Sequence, residues 1–414
     1  MTDLPINEAP PLVMHIDLNS CFAIIEQQAN PLIRHKPVAV AAYDTPGGMV
    51  LAASYEAKRL GIKLGVNVRE ARQLCPDVIV LMPDPEKYRN AHRRFRQVLL
   101  NYTSEVVPKS IDEFVIDFHG SPVVRQGRSL TEVGYEIKAA IKQSLGEYVT
   151  VNVGIATNRS LAKTAANLHK PDGLTVIDAH NLRQTLATLA LVDLPGINRR
   201  YEARLNQVGI YTPLQFLDTD GDFLKKRVFR SKVGMDWYYR LRGWEVDNVN
   251  WGRKSFGHQY ALSHKTTDKL ELSQLLMKLC EKTGRRLRRG GYSAGGIRLW
   301  LTFANHSYWG KGQATTNEMY STQDIYWQAQ KLLDQVIMPA NVTNMSVSVY
   351  RLKVCEPEQL GLFDGSRIDK KALAKATDEV NDRYGEFTLV PAIMASMDDI
   401  ILDRIAFGNV KELY

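Results

Sequence analysis

Cysteine is scarce in this 414-residue chain: Cys21, Cys75, Cys280 and Cys355 are scattered, with no CxxC and no neighbouring His. Neither a zinc site nor a disulfide framework is therefore signalled, and a reducing compartment is expected. Long apolar runs are also missing, and Met1 to Pro11 is polar and Pro-rich rather than a charged start before an apolar stretch. No membrane partner and no secretory leader are expected, and the location is read as cytoplasmic. Gly290 to Gly296 is rich in glycine but no Lys-Ser/Thr follows, so it is read as a turn and not as a nucleotide loop. Acids fall short of bases, 45 against 53, leaving a net charge of +8. That balance favours an anionic partner, with nucleic acid ahead of membrane because no basic amphipathic anchor is evident. The length exceeds one ordinary core, so two to four domains are expected, at about 100 to 200 residues each.

What is present centres on Ser110-Ile111-Asp112-Glu113 at the mouth of the apolar strand Phe114 to Phe118. Adjacent carboxylates repel unless one is protonated, both stay in water, or a cation neutralises them. Oxygen donors with no His or Cys nearby point to Mg²⁺ or Mn²⁺ rather than zinc. A second acid interrupts an apolar strand, Leu12 to Asn19: Asp17 stands where an apolar residue would be expected, just before a helix over Ser20 to Gln28. Asp17 reads equally as an acid near a helix N-cap or as a metal ligand.

Further along, Ser54 leads into a short helix carrying Tyr55, Lys58 and Arg59 one turn apart, able to hold a triphosphate or simply to form a solvated face. Helices are predicted over Pro85 to Ser104 and Leu130 to Leu145, and a strand over Val149 to Ala156. This order gives a split βαβ, ferredoxin-like sheet in which the Asp17 and Asp112-Glu113 strands can be neighbours. A helix over Asn158 to Lys170 ends in Lys170-Pro171-Asp172-Gly173, a turn aiming Lys170 back at the sheet. Leu194-Pro195-Gly196-Ile197-Asn198 resembles a helix-hairpin-helix turn, whose N–H groups can face a DNA phosphate. After an aperiodic linker, Glu245 to Lys254, strands return. Lys282, Arg285, Arg286, Arg288 and Arg289 crowd one helix end, which favours phosphate contact. Gln359-Leu360-Gly361-Leu362-Phe363 forms a short apolar plug that needs a docking partner.

Taken together, Asp17 to Ala23, Ser54 to Lys58, Ser110 to Glu113, Val153 to Ala156 with Asn158, Ala162-Lys163 and Lys170 to Gly173 resemble the Y-family, translesion DNA polymerases of the DinB and UmuC kind. The resemblance covers about residues 12 to 363. It implies an α+β multidomain, right-hand polymerase: a ferredoxin-like palm (12–28 and 85–177), small fingers (29–84), a helical thumb with the helix-hairpin-helix (178–244), a linker (245–254), an α+β little finger (255–355) and a tail (356–414). Asp17, Asp112 and Glu113, with the Leu18 carbonyl, would hold two Mg²⁺ ions, or Mn²⁺. Ser20, Cys21, Tyr55, Lys58 and Lys170 would touch the incoming dNTP, and Phe22 would be the steric gate against ribonucleotides. Gly196 and the five cations would meet primer-template DNA.

Gln359, Leu360, Leu362 and Phe363 resemble the peptide that docks bacterial polymerases on a β-type sliding clamp. Accessory subunits would be implied by a UmuC-like member, and a nucleoid-associated location follows. Three departures stand out. Lys58 replaces the usual Arg of DinB-like members, Asn19 replaces a common Asp, and Asn198 replaces the second Gly of the hairpin. The expected activity is error-prone, template-directed synthesis without proofreading. The alternatives are a catalytically silent, clamp-binding accessory homologue and a two-metal nuclease.

Overall fold

The computed structural model describes residues 4–249, 252–355, 370–395 and 397. They belong to two compact units divided between residues 249 and 250.

The first unit opens with β1 (Val13–Leu18) and α1 (Cys21–Ala29). A small subdomain follows: β2 (Val38–Ala41), β3 (Val50–Ala53), α2 (Tyr55–Arg59), α3 (Val68–Leu74) and β4 (Ile79–Leu81). Then come α4 (Pro85–Leu100), β5 (Val106–Pro108), β6 (Glu113–Asp117), α5 (Pro122–Arg125), α6 (Leu130–Leu145), β7 (Val151–Ala156), α7 (Arg159–Leu168) and β8 (Leu174–Val176). The five-stranded sheet runs β5-β6-β1-β7-β8, with β1 antiparallel to both neighbours.

Both β1 and β7 are buried at every position because helices cover both faces of the sheet. Met14, Ile16 and Leu18 join Phe95 of α4, Ile137 of α6 and Phe22 of α1 in one core. Val13 and Val115 instead join Leu161, Ala162 and Ala165 of α7. The period of two therefore assigns Asp17, two residues beyond His15 and four beyond Val13, to the α7 side. Phe95 is fully buried, and truncating it to Ala would cost about 3–5 kcal/mol. Gly154 on β7 lets α7 approach: a Cβ there would lie 2.1 Å from the Ala162 carbonyl oxygen and 2.2 Å from the Ala166 nitrogen.

The small subdomain forms a three-stranded sheet, β3-β2-β4, over a core of Ala39, Val50, Ala53, Ala57, Ile62, Val66, Ala71 and Val78. Four of these eight are alanines, so this core is thin. The unit ends in helices α8 (Leu182–Ala187), α9 (Arg199–Asn206), α10 (Pro213–Asp218), α11 (Gly221–Phe223), a π-helical turn Leu224–Phe229 and α12 (Val233–Leu241). Phe216, Phe229 and Trp237 pack among them. Thr212 and Gln215 make a reciprocal capping box that fixes the start of α10. Glu245 and Asp247, within the stretch read as a linker, are ion-paired to Arg159 and Arg240.

In the second unit β9 (Ser255–Thr266), α13 (Lys269–Arg289), β10 (Tyr292–Phe303), β11 (Tyr308–Met319), α14 (Thr322–Leu333) and β12 (Val342–Val354) build an antiparallel sheet, β11-β10-β12-β9, with α13 and α14 on one face. The helix α15 (Lys370–Tyr384) follows. The glycine-rich turn is shorter than the sequence suggested. Only Gly290 and Gly291 turn, while Gly295 and Gly296 lie inside β10, at a register shift against β11. The first long helix is also shorter than expected, closing at Leu100.

Candidate active site

The register of the sheet brings the acids together. Asp17 is the direct cross-strand partner of Glu113 on β6, and the Leu18 N–H donates to the Asp112 carbonyl at 2.9 Å. Like charges set opposite one another destabilise a ladder unless neutralised. Lysines do this here. Lys170 donates to Asp17 Oδ2, and Lys163 Nζ donates to both Glu113 oxygens, at 3.0 and 2.8 Å. Asp112 has no lysine and accepts instead from Ser110 Oγ at 2.5 Å.

The electrostatics follow these partners. Burial, with Asp17 and Glu113 nearby, pushes Asp112 up to about 6, and burial also raises Asp17 against the pull of Lys170. Burial alone would raise Glu113 too, but His15 and Lys163 outweigh it and hold it below the usual range. His15 is itself pushed down to about 4 by burial, so at neutral pH it is uncharged and the lowering of Glu113 rests on Lys163. Neither His15 ring nitrogen has a hydrogen-bond partner among the described residues, and Nε2 stands 4.0 Å from Glu113. Among the described residues no group of three or more His, Cys, Asp or Glu is set as a ready-made ion cage. Two of the three acids are turned onto lysines instead.

Beside the acids, the predicted nucleotide residues converge. Ser20 adopts a left-handed conformation (φ 48°) at the start of α1, and its Oγ accepts from Lys58 Nζ at 2.7 Å. That ammonium sits 4.5 Å from the Tyr55 ring centroid, a cation–π contact. Burial, then Lys170, holds the Lys58 ammonium below its usual range, while burial and Asp17 push Tyr55 up to about 12. Cys21 is buried. Phe22 is wholly buried, with its ring stacked on Tyr88 at 4.3 Å and 12°. Tyr88 is in turn fixed by its hydroxyl donating to Glu26 at 2.8 Å, and Lys87 completes that group.

Gly196 stands at φ 107°, and a Cβ there would lie 3.3 Å from the Trp237 ring. Asn198, where the hairpin motif usually has glycine, is the N-cap of α9: its Oδ1 accepts from the N–H groups of Arg200 and Tyr201, both at 3.0 Å. A cleft of about 500 Å³ runs from Glu113 and His15 past Lys109, Arg159, Lys163 and Arg240 to Gly196 and Trp237.

The basic helix end in the second unit, expected to meet phosphate, is engaged internally. Lys282, Arg285 and Arg288 are buried. Arg288 makes a two-pronged pair with Asp378 at 2.6 and 2.8 Å, Arg285 pairs with Asp382, and Lys282 lies 3.9 Å from Glu386. Arg286 donates to the Gly257 carbonyl at 3.0 Å, and Arg289, which is exposed, shares Asp382. Four of these five cations serve α15 and the segment after it. Gln359, Leu360, Leu362 and Phe363 lie outside the described residues.

Two site residues received no role from the sequence: Lys163, which neutralises Glu113, and His15. Arg159 and Lys163 are spaced i,i+4 on α7, and that spacing on an Ala-rich helix over the sheet was the available signal.

Comparison with known proteins places the chain in a family. Residues 16–167 match the impB/mucB/samB family, and residues 253–362 match that family's C-terminal domain. Proteins named DNA polymerase IV from Pelotomaculum thermopropionicum and Moorella thermoacetica are 32% and 33% identical to this chain. The alignments cover 95% and 92% of it, and 97% and 95% of those relatives. Among solved structures, a Y-family polymerase chimera of Dbh and Dpo4 superposes with a TM-score of 0.72 at 25% identity, covering 83% of this chain and 99% of its own. An insertion ternary complex of Dbh DNA polymerase shares the fold at a TM-score of 0.57 and 24% identity. With acids, lysines and sheet arranged as described, and relatives matched over nearly their whole length, the chain belongs to the DinB-like, Y-family DNA polymerases.

Proposed function

We propose that the chain extends a primer on a DNA template by transferring a deoxynucleotide to the primer 3′-OH, that it tolerates damaged template bases, and that the centre lies at Asp17, Asp112 and Glu113. The observation that carries the residue assignment is the ladder pairing of Asp17 with Glu113, with Asp112 adjacent and lysines on two of the three acids. Membership of the family carries a need for divalent metal, and the donors here fit one. They are carboxylate oxygens with the Leu18 carbonyl beside them, and the raised Asp17 and Asp112 are acids whose ionisation a nearby cation would favour. Mg²⁺ or Mn²⁺ held there would lower the pKa of the primer hydroxyl and stabilise charge on the departing pyrophosphate.

The chain's own residues do the rest. Lys58, Ser20 and Tyr55 form one side of a phosphate cradle, and Lys170, now on Asp17, supplies a second cation once that acid has another partner. Phe22, whose ring is stacked on Tyr88, is assigned the steric gate against a ribose 2′-OH. The thin alanine-rich core of the β3-β2-β4 subdomain suits fingers with little bulk over the base pair. With the basic helix end engaged internally, template contact is assigned to the open face of the β11-β10-β12-β9 sheet. There Arg298, Ser346, Ser348 and exposed Trp300, stacked on Tyr308 at 4.8 Å, line up by register. Docking of Gln359 to Phe363 on a sliding clamp is part of the proposal. The accessory reading requires loss of the acids, and all three are present.

The test is extension of a labelled primer on intact and abasic templates with the wild type and Asp112→Ala. Extension by the wild type alone, including past the lesion, supports the reading. Extension by both removes Asp112 from the centre. Degradation of the primer would favour a nuclease.

A further inference from the structure

Asn19, one of the departures in sequence, sits at the middle of a buried amide network that the proposed chemistry has not yet used. Asn19 and Asn152 are each 1% exposed and face one another from β1's end and β7, the Asn19 Nδ2 donating to Asn152 Oδ1 at 2.9 Å. The orientation of each amide is dictated by backbone groups that cannot reverse. Asn152 Nδ2 donates to the Ala166 and His169 carbonyls at 2.9 and 3.0 Å, so its oxygen must face Asn19 and the Gly173 N–H, 3.3 Å away. Asn19 Oδ1 accepts from the Asp172 N–H at 2.9 Å and the Thr150 hydroxyl at 3.0 Å, so its nitrogen must face Asn152.

Position 19 thus needs an acceptor on one side and a donor on the other. An amide supplies both. A carboxylate of the same shape would oppose its lone pairs to Asn152 Oδ1 in a buried site. The backbone these amides hold is the Lys170-Pro171-Asp172-Gly173 turn. Its outer side is tied down by Lys138 and Lys142 of α6, each 3.0 Å from an Asp172 carboxylate oxygen.

Resting on the polymerase reading above, we propose that Asn19 and Asn152 are positioning residues for the incoming triphosphate. They clasp the 170–173 turn so that Lys170 reaches the nucleotide from a fixed backbone, and Asn at position 19 is matched to Asn at 152. The clasp acts on nucleotide binding, so its loss falls on KM more than on kcat.

The experiment compares the wild-type chain with Asn19→Asp and Asn152→Ala, which break the same clasp from its two sides, only the first adding a charge. Two readouts are taken on the full chain: steady-state KM and kcat for dNTP, and hydrogen exchange of the Asp172 and Gly173 amides. The expected result for Asn19→Asp is loss of that protection and a KM raised about tenfold, from one unmade buried hydrogen bond, with kcat within about threefold. Asn152→Ala should show the same loss of protection and a KM raised to a similar extent. It adds no charge, so agreement between the two variants separates geometry from electrostatics. Unchanged protection in Asn19→Asp overturns the proposal. So does lost protection with an unmoved KM, or a KM that is unmoved in Asn152→Ala. A wild type that fails to extend a primer would remove the polymerase reading, while the exchange data would still decide whether the clasp exists.

Discussion

Both units bury clusters of charge, and the two clusters are built in opposite ways. In the first unit the acids come from sheet strands and their lysines reach in from the periphery, with Lys163 and Lys170 side chains 37% and 31% exposed. In the second the cations come from a core helix, the Arg285 and Arg288 side chains being 7% and 4% exposed, and the acids arrive from the C-terminal segment. A partly exposed ammonium on a flexible stem can leave its partner at small cost, whereas a two-pronged buried guanidinium cannot. The first arrangement suits a centre that exchanges partners during a reaction cycle, and the second suits a clasp. Density of charge in a sequence therefore says little about function until the exposure of the counter-charges is known.

This contrast can be broken by mutation. The largest effect is expected at Glu113→Ala, with kcat for primer extension down roughly a thousandfold and DNA affinity, measured by fluorescence anisotropy, within about twofold. Comparable losses of both would make the acid centre as structural as the helix end. Next comes Arg288→Ala. Leaving Asp378 and Glu281 without their buried partner should cost about 3–5 kcal/mol in urea unfolding of the full chain, read by tryptophan fluorescence. A loss below 1 kcal/mol would show the clasp to be loose.

A smaller effect is expected from pH. Asp112 is raised to about 6, above an unfolded value near 4, so its contribution to stability is fully present below about pH 4 and is lost as pH rises through 6. In chelator, Asp112→Asn should melt a few degrees above wild type at pH 8 and level with it at pH 4. Equal melting at both would mean the acid is not held in its neutral form. The smallest effect belongs to Arg289→Ala. That side chain is 59% exposed on the acid Arg285 already holds, and its loss should shift stability by no more than about 0.5 kcal/mol in the same urea titration.

The parts of this molecule legible in sequence are those carried by local period. The Leu130–Leu145 helix has the bounds that its periodicity suggested. The buried β1 and the intrusion of Asp17 in it were likewise visible, and the order of elements let the Asp17 and Asp112-Glu113 strands be neighbours. Pairings over long sequence separations were hidden. Nothing near Arg288 or Arg285 announces Asp378 or Asp382, 90 and 97 residues away, so a run of cations read as an open surface. Lys163 meets Glu113 across 50 residues, and Asn19 meets Asn152 across 133. Such contacts depend on sheet order, which period alone does not fix. Asn198 shows the converse: a missing glycine looked like a damaged motif, but an Asn at that position caps the helix the glycine would have preceded.

One inert residue holds leverage over the chemistry. Gly154 has no polar side chain and touches no acid, but the missing Cβ sets the height at which α7 rides above the sheet. A methyl group there would meet helix backbone on both sides, and backbone cannot swing aside as a side chain can. The helix would have to lift as a rod, and Arg159 and Lys163, carried on its sheet-facing turns, would lift with it away from Glu113. The reach of the Lys163 ammonium is thus calibrated at a site with no chemistry of its own, and the smallest side-chain addition in the molecule would be felt as a change in the charge balance of its acids.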